Sequence, residues 1–221
     1  VRYLSGRGVS QNTEEAFRWF RKAAEQGLDL AEFNVGRMYA EGQGVTRNDT
    51  EAIRWYRAAA DQNLPLAQYS LGRMYAAGRG VPRDERQALL WFRRAADQDL
   101  PVAQLELADS YLNGRGVVLD EAKGLQLLER AAAGGNAEAQ LRLAERYLTG
   151  RGVSRDERVG LNWLRQAAEQ GQAEAQYRLG VFYAKDSQDG SNERQAADWY
   201  RQAAEQGHAA SQVQLATMYA K

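Results

Sequence analysis

Apolar and polar residues alternate along the chain with the period of an α-helix, in short segments separated by polar links. In the segment from about residue 13 to residue 26 the apolar residues fall on one helical face: Ala16, Trp19, Phe20, Ala23 and Ala24. Charged residues occupy the opposite face, as expected for a helix with one solvated side. A second apolar stripe, Ala31, Val35 and Tyr39, follows almost at once and predicts a second helix.

This pair of helices recurs because the link that follows it recurs. The pattern Tyr-x-x-Gly-x-Gly-Val occurs five times, at Tyr3–Val9, Tyr39–Val45, Tyr75–Val81, Tyr111–Val117 and Tyr147–Val153. Its first glycines are spaced 36 residues apart at every step. A fixed period of this length is the sequence signature of a solenoid built from repeated helix pairs. The sequence therefore predicts an all-α fold of about six 36-residue helix-turn-helix repeats.

Each predicted helix has start and stop signals at fixed positions of the repeat. Residues that accept hydrogen bonds from free helix N–H groups precede the first helix of each pair: Asn12, Asn48, Asp84, Asp120, Asp156 and Asn192. Residues that adopt left-handed conformations end it: Gly27, Asn63, Asp99, Gly135, Gly171 and Gly207. The second helix carries a glycine at its centre in three repeats, which predicts close approach of a neighbouring helix. The five tryptophans are predicted to lie in the core.

These repeated residues resemble the Sel-one-like repeat, a relative of the tetratricopeptide repeat. The resemblance rests on Ala-x-x-x-Leu-Gly-x-x-Tyr, the Gly-x-Gly-Val loop and Asp/Asn-x-x-x-Ala-x-x-Trp-x-x-x-Ala-Ala-x-x-Gly, and it extends from Tyr3 to Lys221. It implies a right-handed superhelix of antiparallel helix pairs and a single solenoid domain over residues 1–221. It also implies adaptor or scaffold roles in bacterial signalling, envelope processes and host interaction. Both ends are expected to be cut within a repeat.

Composition narrows the functional classes. Lys and Arg number 29, as do Asp and Glu, so the net charge gives no reason to expect nucleic acid as a partner. No apolar run is long enough to span a bilayer. The chain has no Cys, which excludes disulfides and thiolate metal sites.

No catalytic, cofactor-binding or metal-binding motif is present, so we expect no enzyme activity and no cofactor. The Gly-x-Gly loops lack the preceding strand and the further residues of phosphate-binding loops. A serine nucleophile followed three residues later by lysine is also absent. His208, the single histidine, has no further ligand or catalytic group placed near it by the sequence.

The residues that vary between repeats are the candidates for binding. On the second helix of each pair they form one face, which in helix-pair solenoids is expected to be concave. The candidate partner-binding residues are Asn34, Arg37, Ser70, Arg73, Glu106, Asp109, Arg142, Glu145 and Arg178. Neighbouring repeats should bring Arg37 and Arg73 together. An ordinary solvated face is the alternative. The nearby Phe33, Met38, Tyr69, Met74, Tyr177 and Phe182 are expected in the core, with apolar anchors for a partner as the alternative.

The function expected from these features is a non-enzymatic scaffold that binds a protein or peptide on the concave surface. The alternative is a bacterial envelope or exported protein that assists exopolysaccharide production, secretion or host interaction by binding. An enzyme and an RNA-binding solenoid rank below both. The compartment is unknown, although the family resemblance favours an exported or periplasmic location. Uncapped terminal repeats would also permit end-to-end self-association.

Overall fold

The computed structural model describes residues 12–185 and 190–220, and all of its regular structure is helical. The chain divides into two compact units, Val1–Asp120 and Glu121–Lys221. In the first unit the described helices are α1 (Thr13–Ala24), α2 (Asp29–Glu41), α3 (Asp49–Asp61), α4 (Pro65–Ala77), α5 (Glu85–Ala96) and α6 (Pro101–Asn113). In the second unit they are α7 (Glu121–Ala133), α8 (Ala137–Thr149), α9 (Glu157–Glu169), α10 (Ala173–Lys185), α11 (Gly190–Glu205) and α12 (Ala209–Tyr219). The predicted all-α repeat fold is therefore confirmed.

The predicted helix boundaries are confirmed at most positions of the repeat. Asn12, Asn48, Asp84 and Asp156 are extended and accept hydrogen bonds from backbone N–H groups of the first helical turn. All of the predicted stop residues have positive φ, including Asn63 and Asp99, which are not glycine. The N-cap predicted at Asn192 is wrong, because α11 begins at Gly190 and contains Asn192. The sequence there lacks both loop glycines, so the turn that presents the cap residue elsewhere is not encoded.

The repeated loop is a structural element in the described part of the chain. Gly78 ends α4 in the left-handed conformation, and the backbone N–H of Asp84 donates to the carbonyl of Tyr75 at 3.0 Å. Val81 packs against the core of its repeat. Gly80 lies so close to the start of α3 that a Cβ would stand 2.6 Å from the backbone of Asp49. Such a Cβ would clash, which explains the second glycine of the motif. The first loop of the series, Tyr3–Val9, lies outside the described residues.

The central glycines of the even-numbered helices receive aromatic rings from the next helix. A Cβ on Gly36 would stand 2.7 Å from the Tyr56 ring, and one on Gly72 would stand 2.7 Å from the Phe92 ring. Gly180 and Tyr200 form the same pair in the second unit. Ala144 stands at this position in α8, and it shares a core cluster with Leu164 rather than with an aromatic residue. Where the central residue of the even-numbered helix is glycine, the facing residue of the next helix is aromatic, and where it is alanine the facing residue is leucine. The sizes of the two facing residues are therefore matched.

A second exchange of sizes explains why α9 carries a glycine where most odd-numbered helices have alanine. A Cβ on Gly160 would stand 2.8 Å from Cγ of Leu148. The corresponding residues two repeats earlier are both alanine, Ala76 and Ala88. A larger side chain on α8 is therefore accommodated by removing a methyl group from α9.

A row of buried glutamine side chains links successive repeats within each unit. Gln68 is 1% exposed, donates to the Ala60 carbonyl and accepts a hydrogen bond from Gln98 at 2.8 Å. The equivalent bonds in the second unit join Gln170 to Gln140 at 2.7 Å and Gln206 to Gln176 at 2.8 Å. Because a buried amide without partners is costly, each link both satisfies a polar group and fixes the register of two repeats.

The first member of this row is a carboxylate. Glu32 occupies the glutamine position in α2, is buried, and accepts a hydrogen bond from Gln62 at 2.9 Å. Burial, with a smaller contribution from the charge of Asp29, raises the pKa of Glu32, and the Gln62 hydrogen bond opposes this effect only in part. The ionised form is therefore less stable in the folded chain than in the unfolded chain.

Trp19 departs from the predicted core location. It is 53% exposed, and Lys22 lies over its ring at 4.7 Å. In other repeats the tryptophan packs on the helices of the preceding repeat, as Trp55 does on the cluster formed by α1 and α2. The residues that precede α1 lie outside the described part, which leaves Trp19 without that neighbour there. The prediction of a buried Trp19 is thus wrong for the described residues, whereas Trp91 is 9% exposed.

The matched pair at Gly72 and Phe92 makes a quantitative prediction. Gly72→Ala should lower the free energy of unfolding by about 1–3 kcal/mol, because the new methyl group overlaps the ring. Adding Phe92→Leu recreates the combination of Ala144 and Leu164, so the double variant should lose less than the sum of the two single variants. Urea denaturation of the four proteins measures this coupling, and strictly additive losses would contradict it.

Glu32 predicts a pH-dependent gain in stability. Its raised pKa means that the folded chain binds more protons than the unfolded chain above pH 4.5, so this group lowers stability as the pH rises through that range. We expect Glu32→Gln to gain stability over the wild type as the pH rises from the ordinary glutamate pKa to pH 7. Denaturation midpoints between pH 4 and pH 8 measure this. Glu25→Gln, at an exposed position, is the control that should show no such gain.

Candidate functional site

The candidate residues lie on the even-numbered helices, beside the buried stripe. Six are in the first unit: Asn34, Arg37, Ser70, Arg73, Glu106 and Asp109. Three are in the second unit: Arg142, Glu145 and Arg178. Arg73 is exposed and the others are half-buried, so all of them can be reached from at least one side.

Three of these residues converge on one cavity in the first unit, as the sequence predicted for Arg37 and Arg73. The cavity has a volume of about 230 Å³ and lies between α2, α3 and α4. Ala40, Ala77, Phe33, Tyr56 and Met74 supply its apolar surface, and Arg37, Arg73, Arg79, Glu41 and Ser70 supply its polar surface. We call this the arginine cavity. Met74 contributes to it although it is only 4% exposed, whereas Met38 is fully buried, as predicted for a core residue.

Arg79 is held in place at one wall of the arginine cavity. Its Nη2 donates to Oδ1 of Asp49 at 2.6 Å and to the Ala40 carbonyl at 2.9 Å. Hydrogen bonds from Arg47 and Arg79 lower the pKa of Asp49 to about 2. The charge of Arg79 is thus partly balanced inside the protein, and its side chain serves as a fixed wall of the cavity.

The guanidinium groups of Arg37 and Arg73 are not paired with a carboxylate in this way. Neither has a carboxylate within 4.0 Å among the described residues. The Nη2 of Arg37 donates only to the neutral Asn34 side chain at 3.3 Å, and its Nε is buried without an acceptor in the described part of the chain. The guanidinium of Arg73 stands 5.9 Å from the centre of the Tyr69 ring. Two positive charges at the arginine cavity are therefore not held in an ion pair in the described part of the chain, although Glu41 shares the lining.

Tyr56 joins the arginines at the cavity. Burial raises the pKa of its hydroxyl to about 12, and the charges of Arg37, Arg79 and Arg73 lower it by smaller amounts. The hydroxyl therefore stays protonated at neutral pH and can donate a hydrogen bond. Glu41 is the single acidic residue in the lining, and its charge acts on Tyr56 in the opposite direction.

The remaining candidates of the first unit lie farther along the row. Asp109 has an ion pair with Arg115 at 4.0 Å, a long separation. The charge of Glu106 adds to burial in raising the pKa of Tyr69. The face thus changes from basic to acidic along the first unit.

In the second unit the candidate arginines form ion pairs with glutamates of the repeats. Arg178 contacts Glu145 and Glu174, each at 2.6 Å, and Arg142 contacts Glu138 at 2.7 Å. These arginines therefore have counter-charges within the repeats themselves. The sequence placed them correctly on the face, but it could not show that their charges are already paired.

A second cavity, of about 650 Å³, occupies the equivalent position three repeats later. Its apolar lining is Leu148, Leu161, Leu164 and Phe182, with Arg155, Glu157, Arg178 and Lys185 around it. Leu164 stands where the first unit has Tyr56, so a smaller side chain leaves more space. Sequence reasoning missed Tyr56, Arg79 and Leu164 as lining residues because they belong to odd-numbered helices or loops. Comparison of residue size at equivalent positions was the signal that could have revealed Tyr56 and Leu164.

His208 lies in a group that resembles a catalytic arrangement but has a structural role. Its Nδ1 is 2.9 Å from Oγ of Ser211, and its Nε2 is 3.3 Å from Oε2 of Glu174. Ser211 has no exposed surface, which rules it out as a nucleophile in this conformation. His208 caps α12, and Gln172 makes the equivalent bond to Glu138 at 2.9 Å one repeat earlier. Because glutamine makes the same hydrogen bond one repeat earlier, we assign this contact of His208 to the structure of the repeat.

Two further classes of site were sought among the described residues. No group of three His, Asp or Glu side chains is placed to hold a metal ion there. None of the described helices combines the length and apolar character needed to cross a membrane.

Comparisons with known proteins agree with the repeat pattern. The model of the Sel1 repeat matches residues 1–28, 29–64, 65–100, 101–136, 137–172 and 173–208. The chain belongs to the Sel1 repeat family. A Sel1 repeat protein from Oxalobacter formigenes is 36% identical, with a TM-score of 0.86 over 92% of this chain and 84% of that one. A search of curated proteins found no match.

More distant structures share the fold alone. A putative Sel1 repeat protein from Klebsiella pneumoniae is 18% identical, with a TM-score of 0.56 over 92% of this chain and 99% of that one. An immunity protein from Pseudomonas aeruginosa is 22% identical, with a TM-score of 0.60 over 89% of this chain and 75% of that one.

The contrast between Arg37 and Arg178 gives a stability prediction. Arg37→Met removes a buried N–H without an acceptor, so the free energy of unfolding should stay constant or rise by up to about 1 kcal/mol. Arg178→Met removes two ion pairs and should lower it by roughly 0.5–1 kcal/mol. Urea denaturation at low salt measures both changes. A larger loss for Arg37→Met than for Arg178→Met would show that Arg37 is a structural residue.

Proposed function

We propose that this Sel1 repeat protein is a non-enzymatic scaffold that binds a protein or peptide on the variable face of its even-numbered helices. Sel1 repeat proteins are generally protein-interaction scaffolds. The observation that supports this face is the pair Arg37 and Arg73, which line an open cavity and form no ion pair within 4.0 Å among the described residues. The concave shape expected for this surface and the identity of the partner remain predictions.

The distribution of polar contacts supports the face over other surfaces. The repeated polar residues have structural partners: cap residues bind helix N–H groups, and glutamines bind carbonyls and one another. In four repeats, an arginine on the odd-numbered helix binds the hydroxyl of the repeated tyrosine, as Arg93 does with Tyr111 at 3.1 Å. Residues that vary between repeats and lack such partners are the ones available for recognition.

Site-specific crosslinking tests the location of binding. A photoreactive amino acid replaces Ser70 at the arginine cavity, or Arg86 on the exposed side of α5 as the matched control. In cells of the native source we expect a discrete crosslinked protein with the probe at position 70 and none with the probe at position 86. Equal crosslinking at both positions, or none at position 70, would contradict the proposal.

Affinity then tests the residues. Once the crosslinked partner is purified, calorimetry compares the wild type with a variant in which the charges of Arg37, Arg73, Glu106 and Asp109 are reversed. We expect binding to weaken by at least about tenfold, since charged contacts in a partly buried site are worth a few kcal/mol together. Unchanged affinity would show that the partner binds elsewhere.

A further inference from the structure

The arginine cavity carries more positive charge than its surroundings neutralise. Among the described residues, only the Arg79 guanidinium of the three has a carboxylate at hydrogen-bond distance, that of Asp49, which lies outside the lining. Glu41 is the single acid in the lining. The cavity therefore has an excess of positive charge next to an apolar floor, an arrangement that favours an anion from outside.

The state of Arg37 points the same way. In the described part of the chain its Nε is buried without an acceptor, and its Nη2 makes a long hydrogen bond to a neutral amide. A buried donor without an acceptor is less favourable than a paired one. A carboxylate that enters the cavity allows the guanidinium to exchange this bond for a charge-assisted pair, which improves the environment of Arg37 as well as that of the ligand.

The size and lining of the cavity select the form of that anion. A volume of about 230 Å³ lies below the range of roughly 300–1,000 Å³ typical of small-molecule pockets, so it suits one inserted side chain. The apolar surfaces of Phe33 and Met74 suit the methylene groups of an acidic side chain better than a fully hydrated phosphate. The negative charge of Glu41 disfavours a ligand that brings two negative charges into the cavity, such as a phosphate dianion.

Resting on the function proposed above, we propose that the arginine cavity binds one acidic side chain of a peptide partner. Arg37 and Arg73 pair with its carboxylate, and the Tyr56 hydroxyl donates to it. Arg79, fixed by Asp49, forms the wall behind it. The partner segment is therefore an acidic peptide, and the methylene groups of its inserted side chain contact Phe33 and Met74.

The second unit provides an internal contrast. At the positions of Arg37 and Arg73 it has Glu145 and Val181. Its Arg178 is held by Glu145 and Glu174. The equivalent cavity is larger and has leucine in place of Tyr56. The same fold therefore offers an acid-binding cavity in one unit and a mainly apolar one in the other.

The test uses the complete chain and two capped peptides, acetyl-Leu-Glu-Leu-amide and its counterpart with glutamine in place of the single glutamate. Nuclear magnetic resonance follows the side-chain Nε–Hε signals of Arg37 and Arg73 during titration. We expect saturable shifts with the glutamate peptide and at least about tenfold weaker binding of the glutamine peptide, because each charge-assisted pair contributes a factor of this size. Binding should weaken as NaCl is added.

Variants and a phosphate titration decide the outcome. The double variant Arg37→Met/Arg73→Met should bind the glutamate peptide at least about tenfold more weakly, whereas Arg54→Met, an exposed arginine on α3, should bind as the wild type does. Equal affinity for the two peptides, or no effect of the double variant, overturns the inference. Tighter binding of inorganic phosphate than of the glutamate peptide at these arginines also overturns it, in favour of a phosphorylated ligand.

The two proposals fail in different ways. If a partner crosslinks at position 70 but its affinity does not change in the double variant, the scaffold function stands and the acidic-peptide inference is wrong. If the glutamate peptide binds as expected and no partner crosslinks at position 70, the chemistry of the cavity stands and the proposed function is wrong.

Discussion

The close approach of each even-numbered helix to the next odd-numbered helix determines both the core and the candidate site. In the first unit this approach requires a glycine at position 36, because the Tyr56 ring occupies the space of its Cβ. The ring that fills this gap also lines the arginine cavity. Arg37, the residue that follows Gly36 in α2, lines the same cavity. The packing that joins two repeats therefore also sets the depth of the surface available to a partner. Where Ala144 and Leu164 replace this pair, the equivalent cavity is larger.

The polar framework of the repeat leaves little unpaired. The buried glutamines, the helix caps and the arginine–tyrosine bonds recur with the 36-residue period, and each satisfies a group that would otherwise be buried alone or exposed at a helix end. Against this background an unpaired buried Nε on Arg37 is exceptional among the described residues. Departures from an otherwise consistent local pattern are expected at functional or strained sites. The same reasoning separates Arg37 from Arg178, which has two carboxylates.

Much of the fold could be predicted from the sequence because each structural signal occurs at the same position in several repeats. The period located the helix pairs, the Asx residues located most caps, and the central glycines indicated a close approach. The cap at Asn192 was predicted from position alone, and it is wrong because the loop that presents it is not conserved within the chain. The helices that carry the candidate residues could be predicted, but the electrostatics of those residues could not. Whether an arginine finds a carboxylate depends on side-chain geometry across repeats, as the contrast between Arg37 and Arg178 shows.

The separation of framework from variable face has a consequence for how binding can change. In a repeat array each helix pair is stabilised mainly by its neighbours, so the cost of an unpaired group such as Arg37 stays local. An exchange at a matched pair, such as Gly36 and Tyr56 for alanine and leucine, alters the volume of one cavity while the buried glutamine links remain in place. An exchange at a variable position alters its charge while the packing remains in place. The volume and the charge of each cavity are thus set by different residues. Substitutions can therefore adjust the volume and the charge independently to suit a partner.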